Sequence, residues 1–149
     1  MEIRRARPDD ATAIAELEEE CFPDPWGERD IFSYICSSDG MCFVATNDSG
    51  VPIAYLLGRL IAPEGEVYRI AVHPEKRRRG IGFRLLSYAL KTERGRGLEV
   101  TFLEVRSKNV PARNLYRAFG FREVGTRRGY YKDPPDDAVI MLLGRLEEC

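Results

Sequence analysis

The chain holds a single histidine and four cysteines, Cys21, Cys36, Cys42 and Cys149, with no CxxC pair among them. That scarcity argues against a structural zinc site and a disulfide framework, so reduced thiols and no metal are expected. Cys149, next to Glu147 and Glu148, is expected to be exposed. Charge of one sign is also lacking. Twenty-three Lys and Arg stand against 24 Asp and Glu, a formal net charge of -1, and the whole molecule exerts no strong pull on nucleic acid. No apolar run approaches a bilayer span, which sets membrane insertion aside. Met1-Glu2-Ile3-Arg4-Arg5 lacks the apolar core and cleavage site of a signal peptide, so a cytoplasmic location is expected. Repeats, linkers and low-complexity segments are missing too, and 149 residues suit one domain covering 1–149.

What is present is a chain 44% hydrophobic and 32% charged, punctuated by turn signals. Glu2 to Ala6 reads as a strand, and Pro8-Asp9-Asp10 opens a helix whose Ala11, Ile14, Ala15, Leu17 and Glu18 lead toward Cys21, with Asp9 and Asp10 at its positive end. Pro23 and Pro25 interrupt it. A second helix is predicted over Glu28 to Cys36, with Ile31, Phe32 and Ile35 apolar on one side. Cys42 to Thr46 and Val51 to Gly58 read as strands around Asn47-Asp48-Ser49-Gly50, and Gly65 to Val72 as a third. Further helices are predicted over Arg79 to Arg94 and Asn109 to Phe119, on either side of a strand from Glu99 to Val105. The last two strands, Phe121 to Tyr131 and Val139 to Leu146, form a hairpin across Lys132 to Asp137. Strand and helix do not alternate throughout. This order predicts an α+β, three-layer fold: a mixed, mostly antiparallel central sheet with helices on both faces.

The densest chemical signal is Tyr68 to Gly82, where a β-branched stretch meets Arg77-Arg78-Arg79-Gly80-Ile81-Gly82 and then a helical pattern. Backbone N–H groups at a helix start attract anions, and the arginines place cations beside them. A third glycine at dinucleotide spacing and a following GKS or GKT are both absent, so neither common nucleotide signature applies. The bland reading is an exposed basic cluster with glycines for close packing. Two helical glycines, each costing about 1 kcal/mol relative to alanine, favour the phosphate reading. Lys76 to Arg79 and Arg127-Arg128 could touch a nucleic acid backbone, but no base-reading module accompanies them.

These residues resemble the GNAT acetyltransferases, whose signature asks for Arg or Gln, two residues, Gly, one residue, then Gly or Ala. Ile70-Ala71-Val72-His73-Pro74 precedes the match as expected. More narrowly, Leu103-Glu104-Val105-Arg106, Asn109, Ala112, Leu115-Tyr116, Gly120-Phe121, Arg128, Tyr130-Tyr131, Asp137-Ala138 and Met141 resemble the bacterial ribosomal-protein alanine N-acetyltransferases and related archaeal N-terminal acetyltransferases. Cys21-Phe22-Pro23 and Trp26 belong to the same resemblance.

The resemblance implies acetyl-coenzyme A as donor, and as acceptor the N-terminal amine of a protein, with the alanine terminus of ribosomal protein bS18 as the suggested partner. It implies that Ile70, Ala71 and Val72 bond the pantetheine through their backbone. Arg77, Arg78, Arg79, Gly80, Ile81, Gly82 and Phe83 would hold the pyrophosphate, with Asn109 near the pantetheine. Glu104 is implied as general base and Tyr116 as the acid that protonates the departing thiolate. Read from the residues alone, Glu104 could face solvent or pair with Arg106, Tyr116 could be a core aromatic, and Asn109 a helix cap. Phe22, Trp26, Tyr130 and Tyr131 are candidates to frame an acceptor channel; Glu18 to Glu20 and Asp24 would favour a basic peptide. Arg69 departs from the small polar residue common before the Ile-Ala-Val run and is a candidate for acceptor selection. His73 and Cys21 read as structural. Lysine or small-amine acetylation and a noncatalytic coenzyme A sensor remain open alternatives.

Overall fold

The computed structural model describes residues 1–144; the predicted end of the last strand at Leu146 and the exposure of Cys149 lie outside the described residues. Seven strands form one sheet: β1 (Glu2–Arg5), β2 (Phe43–Thr46), β3 (Pro52–Ile61), β4 (Glu64–Val72), β5 (Val100–Arg106), β6 (Arg122–Lys132) and β7 (Pro135–Gly144). Their order is β1-β2-β3-β4-β5-β7-β6. Every pairing is antiparallel except β4 with β5. Helices α1 (Ala11–Cys21) and α2 (Glu28–Cys36) pack on one face, α3 (Ile81–Arg94) and α4 (Val110–Phe119) on the other.

Period-two alternation builds both cores from the same strands. Phe43, Ala45 and Leu56 face α3, where they meet Leu85, Leu86 and Ala89. Val44, Tyr55 and Leu57 face α1 and α2, where they meet Ile14, Leu17 and Ile31. Phe32 is exposed, one helical step beyond the stripe that Ile31 and Ile35 occupy, which corrects the apolar side predicted for α2. The final hairpin is tighter than its sequence suggested, because β6 reaches Lys132 and β7 begins at Pro135. Asp10 does not cap α1; its carboxylate turns back to the Arg7 amide and the Arg4 guanidinium.

Two irregularities in the middle of the sheet position everything that follows. Leu57 pairs with Arg69 but Gly58 with Val67, so Tyr68 is an extra residue in β4. One extra residue reverses the alternation. Val67 therefore packs toward α3, while Ala71, four residues on, packs toward α1. The second irregularity is a divergence. β4 and β5 pair only from Glu64 with Val100 to Val67 with Leu103. Beyond that step β4 follows β3 and β5 follows β7, leaving a slot between Tyr68–Val72 and Glu104–Arg106.

Candidate active site

One end of the slot is closed by the start of α3. Gly80 caps that helix at φ 74°, in the left-handed region, and a Cβ there would meet nothing within 4 Å. Its role is conformational and the space beside it is open. Gly82 differs, since a Cβ would lie 3.3 Å from Leu115 Cδ2 and 3.7 Å from Val72 Cγ2. The two explanations of the glycines thus divide between them. Arg78 also has positive φ, 66°, so the loop curls just before a helix that carries no side-chain cap. First-turn amides left uncapped at such a concavity suit an anion. Arg78 and Arg79 are exposed beside it. The Arg77 guanidinium turns away: Nε donates to the Val72 carbonyl at 3.1 Å and Nη2 to Cys21 Sγ at 3.5 Å. This corrects its expected place as a side-chain cation at the mouth and makes it a tie between loop and strand. Ile81 is buried in the core, and Phe83, largely exposed, packs on Phe119 at 5.1 Å, so both offer the loop only their backbone.

Along the slot, Ile70, Ala71 and Val72 hydrogen-bond β3 on one edge and leave the other toward the gap. Asn109 accepts from the Ala112 amide at 3.2 Å as the cap of α4. Tyr116 is buried in the core cluster below, edge-to-face with Phe121 at 5.6 Å. Burial pushes its phenol up, and Tyr131 adds to that push. A phenol so placed keeps its proton at neutral pH.

The opposite face of the slot is organised by one buried carboxylate. Glu18 is fully buried and accepts from the Tyr55 hydroxyl and, at 2.8 Å, from the Trp26 amide. Arg69 Nε lies 3.7 Å from it. The Arg69 side chain is only 11% exposed. It also donates to the Asp24 carbonyl at 2.9 Å and stacks over Phe22 at 4.1 Å. Trp26 in turn stacks on Tyr34 at 5.1 Å and meets the bulged Tyr68 at 5.7 Å. Glu18 is therefore no part of an acidic surface, contrary to expectation, and Asp24 is already paired with Arg69 at 3.4 Å. Both pin the Phe22–Trp26 loop. His73 Nδ1 accepts from the Glu75 amide at 3.1 Å, and its Nε2 lies 3.6 Å from a Glu20 carboxylate oxygen.

Glu104 stands where β5 leaves β4, on the face opposite Leu103 and Val105, with its side chain 19% exposed. Its partner is Arg127 of β6, Nε at 3.2 Å from Oε2, and not Arg106. Arg106 donates to the Pro134 carbonyl at 2.7 Å and lies over the Tyr131 ring at 4.2 Å. Tyr130 and Tyr131 touch at 5.1 Å beside this pair, and the Tyr131 phenol, pushed up by burial, feels the Glu104 charge as well. Sequence reasoning passed over Glu66 as a site residue. It pairs with Phe102, which makes Glu104 its diagonal neighbour. Burial pushes the Glu66 carboxyl up and the Glu104 charge pushes it further. The parallel register that joins the two acids was the missing signal. Among the described residues no group of three His, Cys, Asp or Glu could hold a metal ion, and no helix is long and apolar enough to cross a membrane.

The slot therefore has a glycine-arginine loop and an uncapped helix start at one end, the β4 edge along its length with the Val72 carbonyl held by Arg77, and Glu104 where β4 and β5 part. Known proteins resemble this chain in sequence and in fold. The model of the "Acetyltransferase (GNAT) family" fits residues 11–121. The chain is 40% identical over 138 residues to the N-alpha-acetyltransferase RimI of Mycobacterium tuberculosis, covering 89% of this chain and 85% of that one. It is 31% identical over 138 residues to the [ribosomal protein bS18]-alanine N-acetyltransferase of Escherichia coli, covering 90% of each. The crystal structure of the ribosomal-protein-S18-alanine N-acetyltransferase from Escherichia coli superposes with a TM-score of 0.87 at 30% identity, over 96% of this chain and 92% of that one.

Proposed function

The chain belongs to the acetyltransferase (GNAT) family, and from that membership we propose that it moves an acetyl group from acetyl-coenzyme A to the N-terminal α-amine of a protein, with the alanine terminus of ribosomal protein bS18 the first acceptor to test. The observation that carries the reading is the position of Glu104, recessed at the point where the slot opens. The similarity to N-terminal acetyltransferases supports the choice of acceptor.

The residues present fit the donor. Amides of the Arg77–Gly82 loop and of Phe83 would take its diphosphate, because Gly80 leaves room and the helix start is uncapped. The edge of Ile70–Val72, apart from the Val72 carbonyl that Arg77 holds, would take its amide arm, with Asn109 alongside. The donor supplies an acetyl thioester. Glu104 accepts a proton from the acceptor ammonium, whose reference pKa of about 7.7–8.0 makes this a modest demand near neutrality. The freed nitrogen lone pair attacks the carbonyl carbon, a C–N bond forms and the C–S bond breaks. Tyr116 would give its proton to the sulfur and recover one from the nitrogen, which sheds its second proton as the amide forms, while the proton held by Glu104 passes to solvent. Phe22, Trp26, Arg69, Tyr130 and Tyr131 frame the route by which the terminus arrives.

Acetyl transfer to peptides with free alanine termini, and to N-blocked lysine peptides, tests the assignment by mass spectrometry. Modification of the α-amine is expected. Labelling confined to lysine side chains defeats the acceptor assignment, and absence of any transfer favours a coenzyme A sensor. Glu104→Gln and Tyr116→Phe should each lower kcat by about 10²–10⁴-fold while donor binding persists.

A further inference from the structure

We propose that Arg127 is a displaceable counter-ion: between turnovers its guanidinium occupies the place on Glu104 that the acceptor ammonium takes, and it thereby sets which amines gain entry. This inference rests on the assignment of Glu104 as the base.

The pair is asymmetric. Glu104 is recessed at 19% exposure, whereas Arg127 reaches in from outside with 58% of its side chain exposed. It comes from β6, an edge strand whose residues are nearly all exposed. The contact joins charges at 3.2 Å, yet Glu104 Oε2 is buried without a well-directed hydrogen bond. A bidentate guanidinium would be hard to dislodge; one Nε at poor angle is not. The Arg127 guanidinium also lies over the Tyr130 ring at 5.6 Å, a contact that can hold the cation once it is released.

The local backbone suits such movement. Arg127 pairs with Ala138, but the next β6 residue in register is Tyr131, opposite Asp136. Three residues thus bulge immediately after Arg127. The bulge is fastened at Gly129, whose amide donates to Asp137 Oδ1 at 2.7 Å, so the hinge lies between two fixed points.

The seat itself calls for a cation. Glu66 and Glu104 share one face as diagonal neighbours across the last step of the β4–β5 pairing. Arg127 lies within electrostatic reach of both. Two carboxylates beside a half-buried slot repel when uncompensated, so the position is best kept filled throughout the cycle. A primary ammonium carries the same charge as the guanidinium in a smaller volume and brings three donors. Neutral and anionic groups cannot make the exchange, and the proposed ligand class is a charged primary amine at the end of a slender chain.

The test uses the full chain with bound coenzyme A and an unacetylated peptide bearing a free alanine terminus. Arg127→Gln should tighten peptide binding by about threefold to tenfold by calorimetry, raise kcat/KM, and make methylguanidinium a stronger competitor against peptide than in the wild type. Arg127→Lys, which restores a cation, should return affinity toward the wild-type value. In a Glu104→Gln background the effect of Arg127→Gln should vanish, as coupled partners require. Peptide affinity that is unchanged or weaker in Arg127→Gln, with unfolding temperature intact, overturns the proposal. Full turnover in Glu104→Gln instead defeats the base assignment, so the two failures are distinguishable.

Discussion

Glu18→Ala is the sharpest test of how the acceptor side is held together. The carboxylate is fully buried and serves the Tyr55 hydroxyl, the Trp26 amide and the Arg69 guanidinium. Alanine leaves the buried Tyr55 hydroxyl and the half-buried Trp26 amide without an acceptor, at about 1–3 kcal/mol each. Among the described residues it also leaves Arg69 with Asp24 as its remaining carboxylate partner. Breaking a buried ionic contact from one side costs roughly 3–5 kcal/mol, which agrees with that range. For a chain of this size each kcal/mol lowers Tm by about 2–4 °C, so a drop on the order of 6–20 °C is expected. Urea and thermal unfolding measure it, with Tyr55→Phe as the control. Tyr55→Phe should cost less in the Glu18→Ala background than in the wild type, because its partner is already gone. The Phe22–Trp26 loop should loosen together with stability, raising KM for the acceptor peptide more than the dissociation constant of acetyl-coenzyme A. A loss below about 1 kcal/mol, or equal costs of Tyr55→Phe in the two backgrounds, would refute the assignment of Glu18 as the anchor.

Gly80→Ala introduces no clash but forces a Cβ into left-handed backbone, a strain of about 1–2 kcal/mol. Its main effect should be on donor binding, read by calorimetry with coenzyme A; unchanged affinity alongside a lowered Tm would separate the loop from the diphosphate. Asp10→Asn addresses pH. Burial pushes the Asp10 carboxyl up, but the Arg4 hydrogen bond, the Arg7 amide and both guanidinium charges outweigh it and leave it below its usual value. A depressed folded pKa stabilises above the unfolded value of about 3.9 and loses that contribution as pH falls through the folded value. Wild type should therefore exceed Asp10→Asn in stability at pH 7, with the gap closing below about pH 4 in urea titrations. A gap of constant size down to pH 2 would contradict it.

Much of the architecture was legible because it is local. Periodicity, paired prolines and the Asn47–Gly50 turn are contained in short windows, and the order of strands and helices follows from them. The Arg77–Gly82 loop stood out for the same reason, as one contiguous run of arginines and glycines before a helix. What escaped depends on partners distant in sequence. Glu18 looks like one more acid in Glu18-Glu19-Glu20 until Tyr55, 37 residues away, and Arg69 close around it. Glu104 was open to a pairing with nearby Arg106, whereas the cation that reaches it comes from β6. Arg77 read as a mouth cation because nothing in its neighbourhood announces the Val72 carbonyl as acceptor. Tyr68 conceals a bulge, since one extra residue leaves no compositional mark.

The brief parallel contact of β4 with β5 joins what are otherwise two antiparallel blocks, one of four strands and one of three. An extended ligand lying in the gap would act as a surrogate strand, bridging edges that the polypeptide leaves apart. Occupancy should then tie the blocks into one cooperative unit, and amide exchange would slow in both even where no atom of the ligand reaches.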